Sequence, residues 1–197
     1  MTYDPRTYWD ERYKGTRKAG TGSLGDLYRF KLRIVQQMVS RYNVQSVIDY
    51  GCGDGAQLHE LRVSRYLGLD ISQKGIENAM RFQGPHREYR MVPEDYDGAD
   101  AAAEMTVSLD VIQHLPDGAY EQYMRTLFRM SARLVLIYAP NQEGEGMDLH
   151  PHMFFRRFTD WIKDNTGAHC LRYIANEFPA TVPAEHVSFS NFYLYEV

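Results

Sequence analysis

The sequence predicts an α/β fold, a mostly parallel sheet of seven strands with helices on both faces. Three observations predict it. Short apolar runs of strand type alternate along the chain with stretches of helical periodicity. A glycine-rich turn, Gly51-Cys52-Gly53-Asp54-Gly55, directly follows the first of those runs. Asp70 ends the second run, near the offset at which a nucleotide-binding βαβ unit carries the acid that holds ribose hydroxyls.

The elements follow in order. Leu27, Phe30, Ile34, Val35, Met38 and Val39 recur at helical spacing, so a helix over 27–42 precedes the first strand. The first strand is 46–50, and a helix is expected near 57–61. The second strand is 65–69, and Ser72 is placed to cap a helix running to Ala79. A third strand near 88–92 leads into Pro93-Glu94-Asp95. The fourth is 105–109, followed by a helical turn over 110–115. A helix over 118–131, a fifth strand over 133–138, and a helix over 154–165 come next. The last two strands, 169–174 and 189–196, have no helical pattern between them and read as an antiparallel end to the sheet. These elements leave little chain for a second domain. The division expected is an N-terminal lid and helix over 1–43 and one core over 44–197, with an insertion near 141–153.

Composition narrows the function. A chain of 197 residues is long enough to bury a sizeable core. The formal charge of -4 gives no basic footprint, so nucleic acid is not the favoured partner. No apolar run reaches membrane-spanning length and no signal-peptide pattern opens the chain, so no membrane partner is expected. Two cysteines, Cys52 and Cys170, make no disulfide framework and point to a reducing cytoplasm. Monomer and homodimer both remain open.

The glycine turn admits two ligands. Gly51-x-Gly53-x-x-Ala56 fits the dinucleotide fingerprint, which would suggest an NAD-linked oxidoreductase. Asp49 at the strand end and Asp54 inside the turn argue against it, because a pyrophosphate calls for N–H donors and no nearby anion. Two carboxylates favour a cationic ligand. S-adenosylmethionine (SAM) is one: a sulfonium, an ammonium and a single carboxylate.

Here the chain resembles the class I SAM-dependent methyltransferases. The residues that carry the resemblance are Asp49-x-Gly51-x-Gly53-x-Gly55, Asp70 and Ser108-Leu109-Asp110-Val111-Ile112-Gln113-His114-Leu115, spanning roughly 44–141. The resemblance implies a Rossmann-like seven-stranded sheet with an antiparallel last strand. It implies that Asp49 and Gly51 lie near the methionine moiety, that Gly53 lines the loop, that Leu109 stands on the cofactor side, and that Asp70 takes both ribose hydroxyls. It also implies an acid after the third strand that meets the adenine amine, a part open to Glu94 or Asp95. Some small-molecule members open with a Trp-containing segment that closes over the cofactor. Trp9, in Tyr8-Trp9-Asp10-Glu11-Arg12-Tyr13, fits that part.

Methyl transfer from a sulfonium requires alignment of the acceptor and removal of its proton. Asp110 and His114 stand four apart after the fourth strand, at the sheet edge where α/β proteins bind ligands. His114 is the expected base, with Asp110 orienting it or meeting the acceptor. His150 and His152, in the polar insertion, are further candidates, and Arg156 or Arg157 could hold an acceptor. Asp110, His114, His150 and His152 are metal-ligand types but form no compact motif, so a divalent metal is not favoured. The expected activity is O-methylation of a small molecule, first of all a sugar or glycan precursor. A SAM-binding scaffold without activity is the other alternative.

Overall fold

The computed structural model describes residues 3–14, 25–144, 153–178 and 188–197. Helix α1 (Pro5–Tyr13) opens the chain. Asp4 caps it by accepting from the Thr7 N–H at 2.7 Å, and Pro5 occupies the first turn, where no N–H is needed. Helix α2 (Gly25–Arg41) follows, and its apolar stripe is buried as the spacing predicts. Lys31 is buried within the same stripe.

The sheet holds β1 (Ser46–Tyr50), β2 (Arg65–Asp70), β3 (Arg87–Met91), β4 (Ala103–Leu109), β5 (Ser131–Ala139), β6 (His169–Ile174) and β7 (Asn191–Glu196). Their order is β3-β2-β1-β4-β5-β7-β6. The first five strands pair in parallel. β7 runs antiparallel to both β5 and β6. The antiparallel end predicted from the last two runs is therefore present, with β7 inserted between β5 and β6.

The period of two in the strands divides the core into two faces. Val47, Met105, Val107, Leu134 and Leu136 pack with α2 on one face. Ile48, Val135 and Ile137 pack on the other with α4 (Asp117–Arg129) and α5 (Phe158–Asn165). Helix α3 (Gln73–Ala79) joins the first face through Ile76 and Ala79. Ser72 caps it as expected, its hydroxyl accepting from the Gly75 N–H at 2.9 Å.

Two helices differ from expectation. Residues 57–60 form consecutive turns, and no helix spans 57–61. Five residues are too few to nucleate one, and burial of Leu58 and Leu61 holds the segment in place instead. The helix expected over 154–165 begins only at Phe158. Phe155 bridges to Gly144 and the Phe154 N–H donates to the Gln113 carbonyl at 2.7 Å, so the chain stays extended there. His150 and His152 lie outside the described residues. Among the described residues, no helix is long and apolar enough to cross a membrane.

Candidate active site

The strand order reverses between β1 and β4, and a cleft opens at the carboxyl ends of the strands there, where doubly wound sheets bind ligands. It encloses about 900 Å³, counting its open mouth. Its walls are the loops after β1, β2 and β4, and α1 covers one side through Pro5, Trp9 and Tyr13.

The glycine loop is shaped by its neighbours. Gly51, Gly53 and Gly55 all have positive φ. A Cβ on Gly51 would meet Val111 at 2.5 Å, and one on Gly53 would meet the Tyr13 hydroxyl at 2.1 Å. The loop's N–H groups are turned inward. Those of Gly51 and Cys52 donate to the Leu69 carbonyl at 2.7 and 3.0 Å, and that of Gly55 to the Cys52 carbonyl at 3.0 Å. Gly53 donates to Asp70 Oδ2 at 2.8 Å, and Ala56 to Asp54 Oδ1 at 3.2 Å.

Asp49 and Asp70 both line the cleft and are buried. Burial pushes each carboxyl up to about 6. Opposing that shift, the Tyr66 hydroxyl donates to Asp49 at 2.7 Å, and the Ser72 N–H donates to Asp70 Oδ1 at 2.8 Å. Gly51, Gly53 and Leu109 line the same cleft. Glu94 and Asp95 stand outside that lining. The Glu94 carboxylate lies 3.4 Å from the Arg6 Nε of α1.

Asp110 and His114 both reach the cleft, Asp110 shortly before a 3₁₀ turn, Ile112–His114, and His114 at its end. Asp110 has φ of 56°, a left-handed backbone uncommon outside glycine. Its carboxylate is held from three sides: Lys31 Nζ at 2.8 Å, Ser190 Oγ at 2.8 Å, and Gln113 Nε2 at 3.4 Å. The His114 ring meets the edge of Trp9 at 5.4 Å, and the Tyr3 hydroxyl donates to its carbonyl at 3.1 Å. Tyr50 and Tyr123 stack at 4.2 Å, and the Tyr123 hydroxyl donates to the Tyr50 carbonyl at 2.5 Å and accepts from Ser108 Oγ at 2.9 Å.

Helix α1 docks through Asp10, whose Oδ1 accepts from Ser72 Oγ at 2.6 Å and from the Lys74 N–H at 3.0 Å. Trp9 stacks on Tyr13 at 5.9 Å. Arg156 is taken up locally: it pairs with Asp117 at 2.6 Å and covers the Tyr120 ring at 4.7 Å. Arg157 lies 3.9 Å from Glu143.

Sequence reasoning missed Lys31, Gln57, Tyr13, Tyr50, Tyr123 and Ser190, of which all but Ser190 line the cleft. Lys31 carried a signal: it falls four residues after Leu27 and four before Val35, a charge inside an apolar stripe. Ser190 carried none.

Among the described residues, no group of three or more His, Cys, Asp and Glu side chains could hold a metal ion. The strand order is that of a Rossmann-like sheet, the fold of the methyltransferases whose solved structures align with this chain. Residues 48–135 match the family model described as "Methyltransferase domain". A chicken (Gallus gallus) protein named small RNA 2'-O-methyltransferase is 23% identical over 185 residues, covering 79% of this chain. The match takes in 49% of that protein, so the chain spans about half the length of this relative. Among solved structures, the methyltransferase domain of a bacterial Hen1 (CtHen1-C) aligns with a TM-score of 0.67 at 19% identity, covering 86% of this chain and 98% of that one. The N-methyltransferase NodS of Bradyrhizobium japonicum, solved with S-adenosyl-L-homocysteine (SAH), aligns with a TM-score of 0.77 at 11% identity, covering 98% of each chain. At these identities the solved structures speak to fold.

Proposed function

We propose that the chain is a SAM-dependent O-methyltransferase whose acceptor is a sugar hydroxyl. One observation carries the cofactor reading. The loop N–H groups of residues 51, 52, 53, 55 and 56 are spent inside the protein, while buried carboxylates flank the loop. A pyrophosphate needs those donors free, and a cationic nucleoside needs the acids. NAD-linked oxidation is disfavoured on the same ground. The solved NodS complex, with SAH bound in a chain of the same fold, supports the reading.

SAM, when bound, supplies a methyl group already activated on a sulfonium. The chain's own residues do the rest. Asp70 receives the ribose hydroxyls, and Asp49, Gly51, Gly53 and Leu109 border the methionine side. Glu94 or Asp95 meets the adenine amine. Residues 1–43 are the N-terminal lid and helix, with Trp9 over the cleft to exclude water, and 44–197 form the core. His114 takes the proton from the acceptor hydroxyl, next to an Asp110 fixed by Lys31 and Ser190. His150 and His152 are the alternative bases. The free cysteines Cys52 and Cys170 fit a reaction in the cytoplasm.

Two acceptors carry a sugar hydroxyl. A saccharide precursor suits the chain's net negative charge. The ribose 2'-hydroxyl of a small RNA is favoured by the name of the chicken relative and by the Hen1 fold match. The test is incubation with SAM carrying a deuterated methyl group and a panel of glycan precursors, small RNAs and the matching DNAs, read by mass spectrometry. Label on a saccharide or an RNA but not on DNA supports the reading and separates the two acceptors. Label on amines alone overturns it. A rise in melting temperature with NAD and none with SAH overturns the cofactor assignment.

A further inference from the structure

Just past the turn that carries His114, donors of three kinds gather at the start of α4. The helix begins three residues after His114, and no side chain caps it. Its first bond runs from the Tyr120 N–H to the Pro116 carbonyl at 2.8 Å, so the N–H groups of Gly118 and Ala119 stay open. Nothing lies within 4 Å of where a Cβ on Gly118 would stand. Arg156 reaches the same helix end. Its Nε and Nη2 donate to one oxygen of Asp117 at 3.2 and 2.6 Å, and its Nη1 donates to the Phe154 carbonyl at 3.3 Å. A guanidinium has five N–H donors, so two are unused among the described residues. Arg156 Cζ lies 4.7 Å from the Tyr120 ring centroid. Tyr120 is 4% exposed, and its hydroxyl has no partner among the described residues. Helical side chains lean toward the N-terminus, so this ring extends back toward the open N–H groups. Burial raises the pKa of the hydroxyl and the Arg156 charge opposes the rise, as expected of a phenol beside a guanidinium.

The Asp117 side chain is 96% exposed and meets Arg156 through one oxygen, a pair of little worth to stability. It can turn into water and leave the guanidinium to another anion. An unpaired buried phenol detracts from stability, and a ligand that accepts from it removes that loss. A phosphate, with several acceptor oxygens, matches guanidinium, helix N–H and phenol together. We infer that Arg156, Tyr120 and the start of α4 form a subsite for a phosphate ester carried by the acceptor. The inference rests on the proposed transfer to a sugar hydroxyl and names a second group on that acceptor. Its place agrees. The Phe154 N–H donates to the Gln113 carbonyl at 2.7 Å, so the segment bearing Arg156 and the start of α4 both join the His114 turn. A phosphate held there sets a hydroxyl of the same sugar toward His114. Two sources share this chemistry, a free sugar phosphate and the phosphodiester before the last ribose of an RNA.

The test needs no SAM, so it stands apart from methyl transfer. Inorganic phosphate should bind the parent protein saturably by calorimetry and shift the Arg156 Nε–H resonance, identified by its loss in Arg156→Gln. Arg156→Gln should weaken phosphate about tenfold or more, and Tyr120→Phe about threefold or more. Asp117→Asn should tighten it about twofold to fivefold, because a competing carboxylate is gone. No saturable shift at Arg156, or unchanged affinity in the Arg156 and Asp117 variants, overturns the subsite. Glucose 1-phosphate and the ribodinucleotide ApA are then compared with glucose and adenosine. Tighter binding of glucose 1-phosphate than of ApA assigns the sugar phosphate, and the reverse assigns the RNA phosphodiester. Glucose and adenosine binding as tightly as their phosphorylated counterparts overturns the subsite. Phosphate binding at Arg156 with methyl label on amines alone overturns the hydroxyl reading and leaves the subsite standing. Ligand-free melting temperatures check folding. If Arg156→Gln does not fold, Asp117→Asn decides, because it alters an exposed side chain.

Discussion

Replacing Gly53 by alanine tests how α1 is held over the glycine loop. Gly53 has φ of 55°, and alanine in that left-handed region costs about 1–2 kcal/mol. The new Cβ would stand 2.1 Å from the Tyr13 hydroxyl, whereas real Cβ contacts stay beyond 3.0 Å. Tyr13 must therefore withdraw by about 0.9 Å, the difference between those two distances. Carried rigidly through α1, that shift lengthens both Asp10 bonds, now 2.6 and 3.0 Å, to the edge of hydrogen bonding or past it. Each is a charge-assisted bond of about 1.5–3 kcal/mol. The larger share of the loss is thus the docking of α1. In Gly53→Ala/Tyr13→Phe the nearest ring atom is Cζ at 3.0 Å, so α1 stays in place and the backbone strain remains. The assay is urea denaturation together with Trp9 emission in a Trp161→Phe background. Gly53→Ala should lose about 3 kcal/mol or more and red-shift Trp9, and the double variant should recover most of both. Equal losses in the two variants, with Trp9 emission unchanged, would refute the reasoning.

Three further outcomes follow from the site. Asp70→Asn keeps an acceptor for one loop N–H and removes the charge, and SAH affinity should drop about tenfold or more. Affinity equal to the parent's removes Asp70 from ribose binding. Asp49 and Asp70, raised to about 6, keep a proton in the native state that the unfolded chain has already released. Their contribution to stability therefore falls as pH rises from the ordinary carboxylate range to about 6, then levels off. Urea midpoints of the parent, measured relative to Asp70→Asn, should show that decline, and a flat difference counts against it. SAH affinity should weaken below about pH 6, because ribose hydroxyls donate to the ionised form. His114→Ala should lower turnover by about 100-fold or more with SAH affinity nearly unchanged, and parental turnover would exclude it as the base.

The parallel sheet was legible because each buried strand is a compact apolar run ended by turn residues, and because three glycines cluster where the backbone turns left-handed after β1. Asp49, Asp70, Asp110 and His114 were legible for a related reason: all four stand at or just past strand ends, where this topology gathers ligand-binding groups. What the sequence hides is pairing over distance. Lys31 reads as one charge on an amphipathic helix until the fold sets Asp110 against it. Ser190 is an ordinary serine before a strand until that strand proves to run backwards. Residues 57–61 have helical composition, but two leucines anchored in the core outweigh a helix too short to nucleate. Gly53 reads as a ligand-facing glycine, and it also makes room for Tyr13, a contact no local pattern reports.

The reversed direction of β7 has a consequence for how the molecule matures. β1, β2 and β4 deliver their ends to the cleft, but β7 delivers its beginning, and that is how Ser190 reaches Asp110. Asp110 is thereby clasped by residues 79 positions before it and 80 positions after it. Contacts of such separation close long loops and so form late. A partly folded species, or a fragment that stops short of residue 190, can own the glycine loop and both strand-end acids and still lack this corner. Competence at the Asp110 end is thus a report on the whole topology: it arrives only when α2, the central sheet and the returning strand have all found one another.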